Sequence, residues 1–126
     1  MSSDIFSTIA AEDYLELLED SKPKSRDVAR MLDFRKEDVS QATGVSLSSI
    51  RYDQKIPAQL QEKMREWANL LNLVAEHFHG NAERTFLWLT MPNPLLGDIA
   101  PRDMIRFGRY NKLLKFVVNA INENKR

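Results

Sequence analysis

Lys36-Glu37-Asp38-Val39-Ser40-Gln41-Ala42-Thr43-Gly44-Val45-Ser46-Leu47-Ser48-Ser49-Ile50 has the spacing of two short helices joined by a tight turn. Val39, Val45 and Ile50 fall where side chains pin one helix to the other, and Ala42 is small where helices approach. Gly44 supplies the positive φ that such a turn needs, and Ser46 is placed to cap the second helix. The stretch predicts a helix-turn-helix.

Continued past Ile50, the second helix puts Ser48, Arg51, Tyr52 and Lys55 at i, i+3, i+4 and i+7, on one face opposite Leu47 and Ile50. A guanidinium, a phenol, an ammonium and hydroxyls on one side suit a major groove. Arg51 is placed for guanine, while Ser46, Ser48, Ser49 and Lys55 reach base edges or phosphates. Arg35 and Lys36 open the preceding helix, a usual position for backbone contacts. The candidate DNA-binding set is therefore Arg35, Lys36, Ser46, Ser48, Ser49, Arg51, Tyr52 and Lys55. A homodimer on double-stranded DNA is expected, because one such helix buries too little surface for specific binding. Asp53 and an acidic head oppose phosphate, and helix pairs with a glycine turn also occur in bundles that never touch DNA.

Outward from this stretch, apolar residues recur at three- and four-residue spacing, and nothing reads as a strand. Upstream, a helix is expected near residues 11–19 with Tyr14, Leu15 and Leu18 inward. After the Lys22-Pro23-Lys24 break, Ser25 is placed to cap a short helix burying Val28, Met31 and Leu32. Downstream, Leu60, Met64, Trp67, Leu71, Val74 and Phe78 make a continuous seam, so the longest helix should begin after Pro57 and run to about Phe78. That seam serves either a shared core or helix pairing between two copies. Gly80 closes this helix and Asn81 caps the next, which carries Ala82, Phe86 and Leu89 inward. A loop over 91–97, a short helix from Pro101 and a last helix from about Arg109 complete an all-α chain. The boundary before residue 58 divides an N-terminal region, 1–57, from a helical C-terminal region, 58–126.

The chain's 126 residues, 43% hydrophobic, suit one compact domain or two very small ones sharing a core. No apolar run approaches the roughly 20 residues of a membrane span. The opening Met1-Ser2-Ser3-Asp4 lacks the layout of a secretory signal, and there are no cysteines, so a cytoplasmic protein is expected. The net charge of +0 hides segregation: residues 1–20 carry −6, residues 21–60 +3, residues 61–100 −2 and residues 101–126 +5. Local fields rather than the sum steer partners, although solvated helix faces produce similar asymmetry.

Trp88-Leu89-x-x-Pro92-Asn93-Pro94-x-Leu96-Gly97, followed by Pro101-x-Asp103-Met104-Ile105 and Gly108, closely resembles the toxin-binding domain of Xre/MbcA/ParS-type antitoxins. The resemblance spans about residues 58–122, and a helix-turn-helix precedes that domain in the family. It implies an antitoxin of a type II toxin–antitoxin system. The implied partner is a RES-type toxin that destroys cellular NAD, and the implied second role is repression of the shared promoter. The chain departs from the family at Ala100, where Ser or Thr usually caps the following helix, a loss of about 1 kcal/mol.

Residue by residue, the motif is expected to shape its loop: Pro92 and Pro94 hold an extended turn, Gly97 permits a reversal, and Trp88 buries apolar area beneath. The contacts expected to reach a partner are Arg102, Arg106, Arg109, Lys112, Phe116, Lys125 and Arg126, since Arg and aromatic residues dominate binding hot spots. Phe116 falls off the inner stripe of Tyr110, Leu113, Leu114, Val117, Val118 and Ile121. It is either an exposed anchor or covered by the acidic first helix. Catalysis finds no support. His77 and His79 sit two apart with no acid or cysteine cluster, no serine has a partnered base, and no Gly-rich phosphate loop occurs. No cofactor or metal is expected. The alternative is a helix-turn-helix regulator or adaptor without a toxin, and a helical scaffold that never touches DNA is the third class.

Overall fold

The computed structural model of the chain describes residues 8–124. The seam from Leu60 to Phe78 forms one helix, α3 (Ala58–His77), capped by Pro57 and Phe78. Leu60, Met64, Trp67, Leu71 and Val74 are buried along it, and so are Ala68, Leu70, Leu73 and Ala75. A helix buried well beyond one stripe is central, and elements from both ends of the chain pack on it. Burying a large apolar side chain gains about 1.5–3 kcal/mol, so α3 contributes much of the core.

The other α-helices are α1 (Ser25–Met31), α2 (Lys36–Thr43), α4 (Ala82–Thr90), α5 (Pro101–Arg106) and α6 (Tyr110–Asn124). α1 packs on one side of α3, with Val28 and Leu32 inward and Phe34 meeting the Trp67 ring edge-on at 5.7 Å. α4 and α6 pack on α3 as well, and α5 bridges α4, α6 and α2. One hydrophobic cluster runs from Leu17 through α3 to Val118. Tyr110 closes the far side by donating its hydroxyl to the Glu66 carbonyl at 2.8 Å.

Several ends fall where the residues require. α2 stops at Gly44, whose φ of 77° is the left-handed cap. Asn81 accepts the Arg84 amide at 2.9 Å and so starts α4. Pro101 takes the first position of α5, and the uncapped Ala100 before it is buried. On α4 Leu89 is buried as expected and Phe86 half-buried, but Thr85 joins the inner face and Ala82 is exposed.

Three expectations fail. Ser25 is the first residue of α1 rather than its cap, because Lys24 holds the cap position and makes no side-chain cap bond. Residues 11–19 form no helix. They run as a turn-rich strap over α3 into a hairpin, β1 (Leu18–Glu19) with β2 (Lys22–Pro23), so strand structure is present. Asp20 and Ser21 both take positive φ, 52° and 66°, as a two-residue hairpin turn requires. Leu17, 2% exposed, enters the core in place of Leu18 at 37%. Third, the second helix of the helix-turn-helix is a single 3-10 turn, Leu47–Ser49, and Ile50 beyond it is extended (φ −75°, ψ 109°).

Candidate functional site

The short 3-10 turn rearranges the residues expected to read DNA. Ser48, Arg51, Tyr52 and Lys55 do not share a helix face, because no helix extends past Ser49. The turn before it is stapled locally: Ser40 Oγ donates to Val45 O at 2.6 Å, and Thr43 Oγ1 accepts the Val45 amide at 3.1 Å. Ser46, Ser48 and Ser49 are exposed, and Ser46 Oγ bonds Ser49 Oγ at 2.9 Å instead of capping a helix.

Asp53 organises the chain beyond. Its carboxylate accepts Arg51 Nε at 2.8 Å and the Lys55 amide at 2.9 Å. The hydrogen bond from Arg51 holds the Asp53 carboxyl below its ordinary range, and Asp53 in turn raises the guanidinium. Arg51 is therefore partly neutralised where it meets solvent. Tyr52 turns inward with its hydroxyl buried and unpartnered, and burial pushes its ionisation up. Lys36 Nζ lies 6.0 Å from the Tyr52 ring, and Arg35 is exposed at the start of α2, where Asp38 Oδ2 accepts its amide at 2.9 Å. Lys22, Lys24 and Arg26 line the cleft beside Tyr52 together with Glu19 and Asp20. Sequence reasoning missed those three cations, whose signal was the alternation Lys22-Pro23-Lys24-Ser25-Arg26.

The residues expected to grip a partner separate into distinct places. Arg102 Nη1 donates to Asp33 O at 2.9 Å and reaches Asp33 Oδ2 at 3.3 Å, tying α5 to the turn between α1 and α2. Arg106 Nε donates to Asp103 Oδ1 at 3.0 Å, and its guanidinium lies 4.6 Å from the Phe107 ring centre. These two arginines share a polar cleft with Arg35, Asp33 and Asp38. Arg109 and Lys112 are exposed. Lys125 and Arg126 lie outside the described residues.

Phe116 belongs elsewhere. It is half-buried, and it lines an apolar groove with Leu73, Phe78, Trp88, Leu95 and Ile121. Among the described residues, none of the strap lines that groove, so residues 8–20 do not cover it. A second apolar hollow, lined by Leu87, Met91 and Pro94, shares Phe78, Trp88 and Asn93 with the first. The rim between them is the 91–97 loop. Asn93 Oδ1 accepts the Leu95 amide at 2.9 Å, Asn93 N donates to Ile99 O at 3.0 Å, and Gly97 turns the chain at φ 75°. Asn93 and Gly97 thus shape the loop. The loop then displays Leu95 at 77% exposure and Met91 at 55%, with Leu87 of α4 at 46%. Large apolar side chains lifted beside a concave apolar surface make this the candidate docking face. Their placement in a Pro-rich loop was the available sequence signal.

Among the described residues, no three His, Cys, Asp or Glu side chains group to hold a metal, and no helix is long and apolar enough to cross a membrane. Compared with known proteins, the chain finds no matching family model, no matching curated protein and no matching solved structure.

Proposed function

We propose that the chain is an antitoxin: its C-terminal half docks onto and neutralises a RES-type, NAD-consuming toxin, and with it the N-terminal half represses their shared promoter. The observation that carries the reading is the apolar face at Phe78, Trp88, Met91, Leu95 and Phe116, because a face of this kind left open suits a protein partner. It coincides with the Trp88-to-Gly97 motif on which the resemblance to antitoxins rests. The exposed Arg35, Lys36 and Lys55 support the promoter role, since phosphate contacts supply most of the sequence-independent affinity.

The test is co-expression with the product of the adjoining reading frame. Growth arrest by that product alone, relieved by this chain with recovery of a stoichiometric complex, supports the reading. Arrest that persists, or a neighbour that never binds, removes it.

A second reading, an adaptor that binds protein without reading DNA, draws on the 3-10 turn at Leu47–Ser49, which leaves no recognition helix to lie in a groove. Fluorescence anisotropy with the gene's own promoter separates the two. Salt-sensitive binding favours the repressor, and no binding at low salt favours the adaptor.

A further inference from the structure

We infer that the groove between the 91–97 loop and α6 receives an amphipathic helix of the partner protein, with apolar side chains flanked by carboxylates. The inference rests on the antitoxin reading and names the surface and chemistry of that contact.

Three observations fix the occupant. The concavity is walled by helices: α3 supplies Leu73 and its cap Phe78, α4 supplies Trp88, and α6 supplies Phe116 and Ile121. Walls of this kind, with no free strand edge to extend, suit a helix laid in a groove and read through spaced apolar anchors. Second, Leu95 stands proud of the loop at the edge of the concavity and Met91 at the adjoining hollow, so the loop adds exposed apolar side chains along one side of a docked helix. Burying such side chains at the centre of a contact is what concentrates binding energy.

Third, the lining carries no negative charge. No carboxylate lines either apolar hollow, and the charged side chain that does is Arg84. Arg84 and Lys112 are exposed, and among the described residues neither makes a salt bridge. On the Phe116–Ala120 row of α6, Lys112 lies one turn before the groove and Glu123 one turn after Ala120, so the cation that touches the lining is Arg84. A cation in an apolar lining that holds no carboxylate selects a segment carrying Asp or Glu beside its anchors.

The arginines first expected at this contact are engaged elsewhere. Arg102 is spent on Asp33 and Arg106 on Asp103. A partner docked in the groove leaves both pairs in place.

The experiment titrates the purified full chain with the purified product of the adjoining reading frame by isothermal calorimetry, at two salt concentrations. Leu95→Asp and Met91→Asp are the test variants, because their exposure lets them fold as the native chain does, which a thermal melt checks. Each is expected to weaken binding about thirtyfold or more. Arg84→Glu is expected to weaken it about tenfold and to flatten its salt dependence. Arg30→Glu, on α1, serves as the control and is expected to bind as the native chain.

Native binding unchanged in Leu95→Asp and Met91→Asp overturns the groove as the docking surface and leaves the antitoxin reading standing. Loss in those two variants with Arg84→Glu unaffected overturns the acidic character of the occupant. Absence of any complex with the native chain overturns both readings. A chain that sediments alone as a dimer, split by Leu95→Asp while partner affinity holds, assigns the groove to a second copy and overturns the proposal.

Discussion

The carboxamide of Asn72 donates to Asp13 Oδ1 across 2.9 Å, joining two segments 59 residues apart. The same side chain accepts the Leu15 amide at 2.9 Å, and Asn69 one turn earlier accepts the Ala10 amide and donates to the Thr8 carbonyl. Two asparagines spaced three apart on α3 thus hold the strap, and Asn72 accepts from Leu15 a bond that a helix over residues 11–19 would have made internally.

Replacing Asn72 with Leu keeps the branched shape and the number of heavy atoms and removes both bonds. Leu15 N–H then loses its acceptor, so stability is expected to fall by about 2–3 kcal/mol. Denaturant unfolding measures the loss. Hydrogen exchange should show the amides of Leu15 and Leu17 released before those of α3; unchanged strap protection would refute the pinning role.

Asp13 links the strap to pH. Burial alone would raise its pKa, but the amides of Leu17 and Leu18 and the Asn72 carboxamide bond the carboxylate and bring it below the ordinary value. A lowered pKa in the folded state contributes stability that is present above the unfolded value, about 4. That contribution is lost as pH falls through the folded value. The strap amides are therefore expected to lose protection below about pH 4. Asp13→Asn should remove this part of the pH dependence in an equilibrium-unfolding series, and an acid limb identical to that of the native chain would refute it.

Arg102 was expected at the partner surface and is found holding the turn between α1 and α2. Its bonds to the Asp33 carbonyl and carboxylate brace a residue at φ 55°. Arg102→Ala is expected to cost about 1.5–3 kcal/mol, the range for hydrogen bonds to a charged group, and to leave partner affinity within about twofold. A variant of native stability with weakened partner binding would return Arg102 to the interface.

Gly44 tests the turn at the end of α2. Its φ of 77° excludes ordinary side chains, yet a Cβ built there meets nothing within 4 Å. Ala is therefore penalised by backbone strain alone, about 1–2 kcal/mol. Asn, which tolerates the left-handed region, should cost less than Ala in a thermal melt. Equal losses would mean that contact, not conformation, sets the cost.

Where local signals sufficed, the sequence was readable. Pro57 and the four-three seam defined α3, Gly44 ended α2, and Asn81 started α4. The strap was not readable, because Tyr14, Leu15 and Leu18 imitate a helical stripe while the deciding partners, Asn69 and Asn72, lie about sixty residues away. The hairpin turn at Asp20-Ser21 requires two left-handed residues without a glycine, which hides it from turn signals. At the candidate DNA-binding site, helical spacing predicted a shared face for Arg51 and Lys55. Asp53 competes by folding its carboxylate onto both, a local choice that periodicity does not register. At the apolar groove, Asn93 and Gly97 shape the loop as their residue types suggested, whereas Trp88, expected beneath the loop, is half-buried and lines both hollows. The consequence of that shape, the display of Leu95 and Met91, emerged only with the fold.

Asp53 also gives the last prediction. Its carboxylate pairs with the Arg51 guanidinium and adds a negative charge where the proposed repressor meets phosphate. Asp53→Asn retains a side-chain acceptor for the Lys55 amide while removing that charge, so Arg51 becomes free to contact a phosphate. Promoter affinity at low salt is expected to rise. The slope of log affinity against log salt should steepen by about 0.9, the increment for one more phosphate contact. Anisotropy titrations of both proteins over a salt series measure it. A steeper slope in Asp53→Asn places Arg51 on the DNA backbone even without a recognition helix. Equal slopes with measurable binding confine the contact to Arg35, Lys36 and the Lys22–Arg26 edge. No binding by either protein leaves the apolar groove as the chain's means of recognition and favours the adaptor.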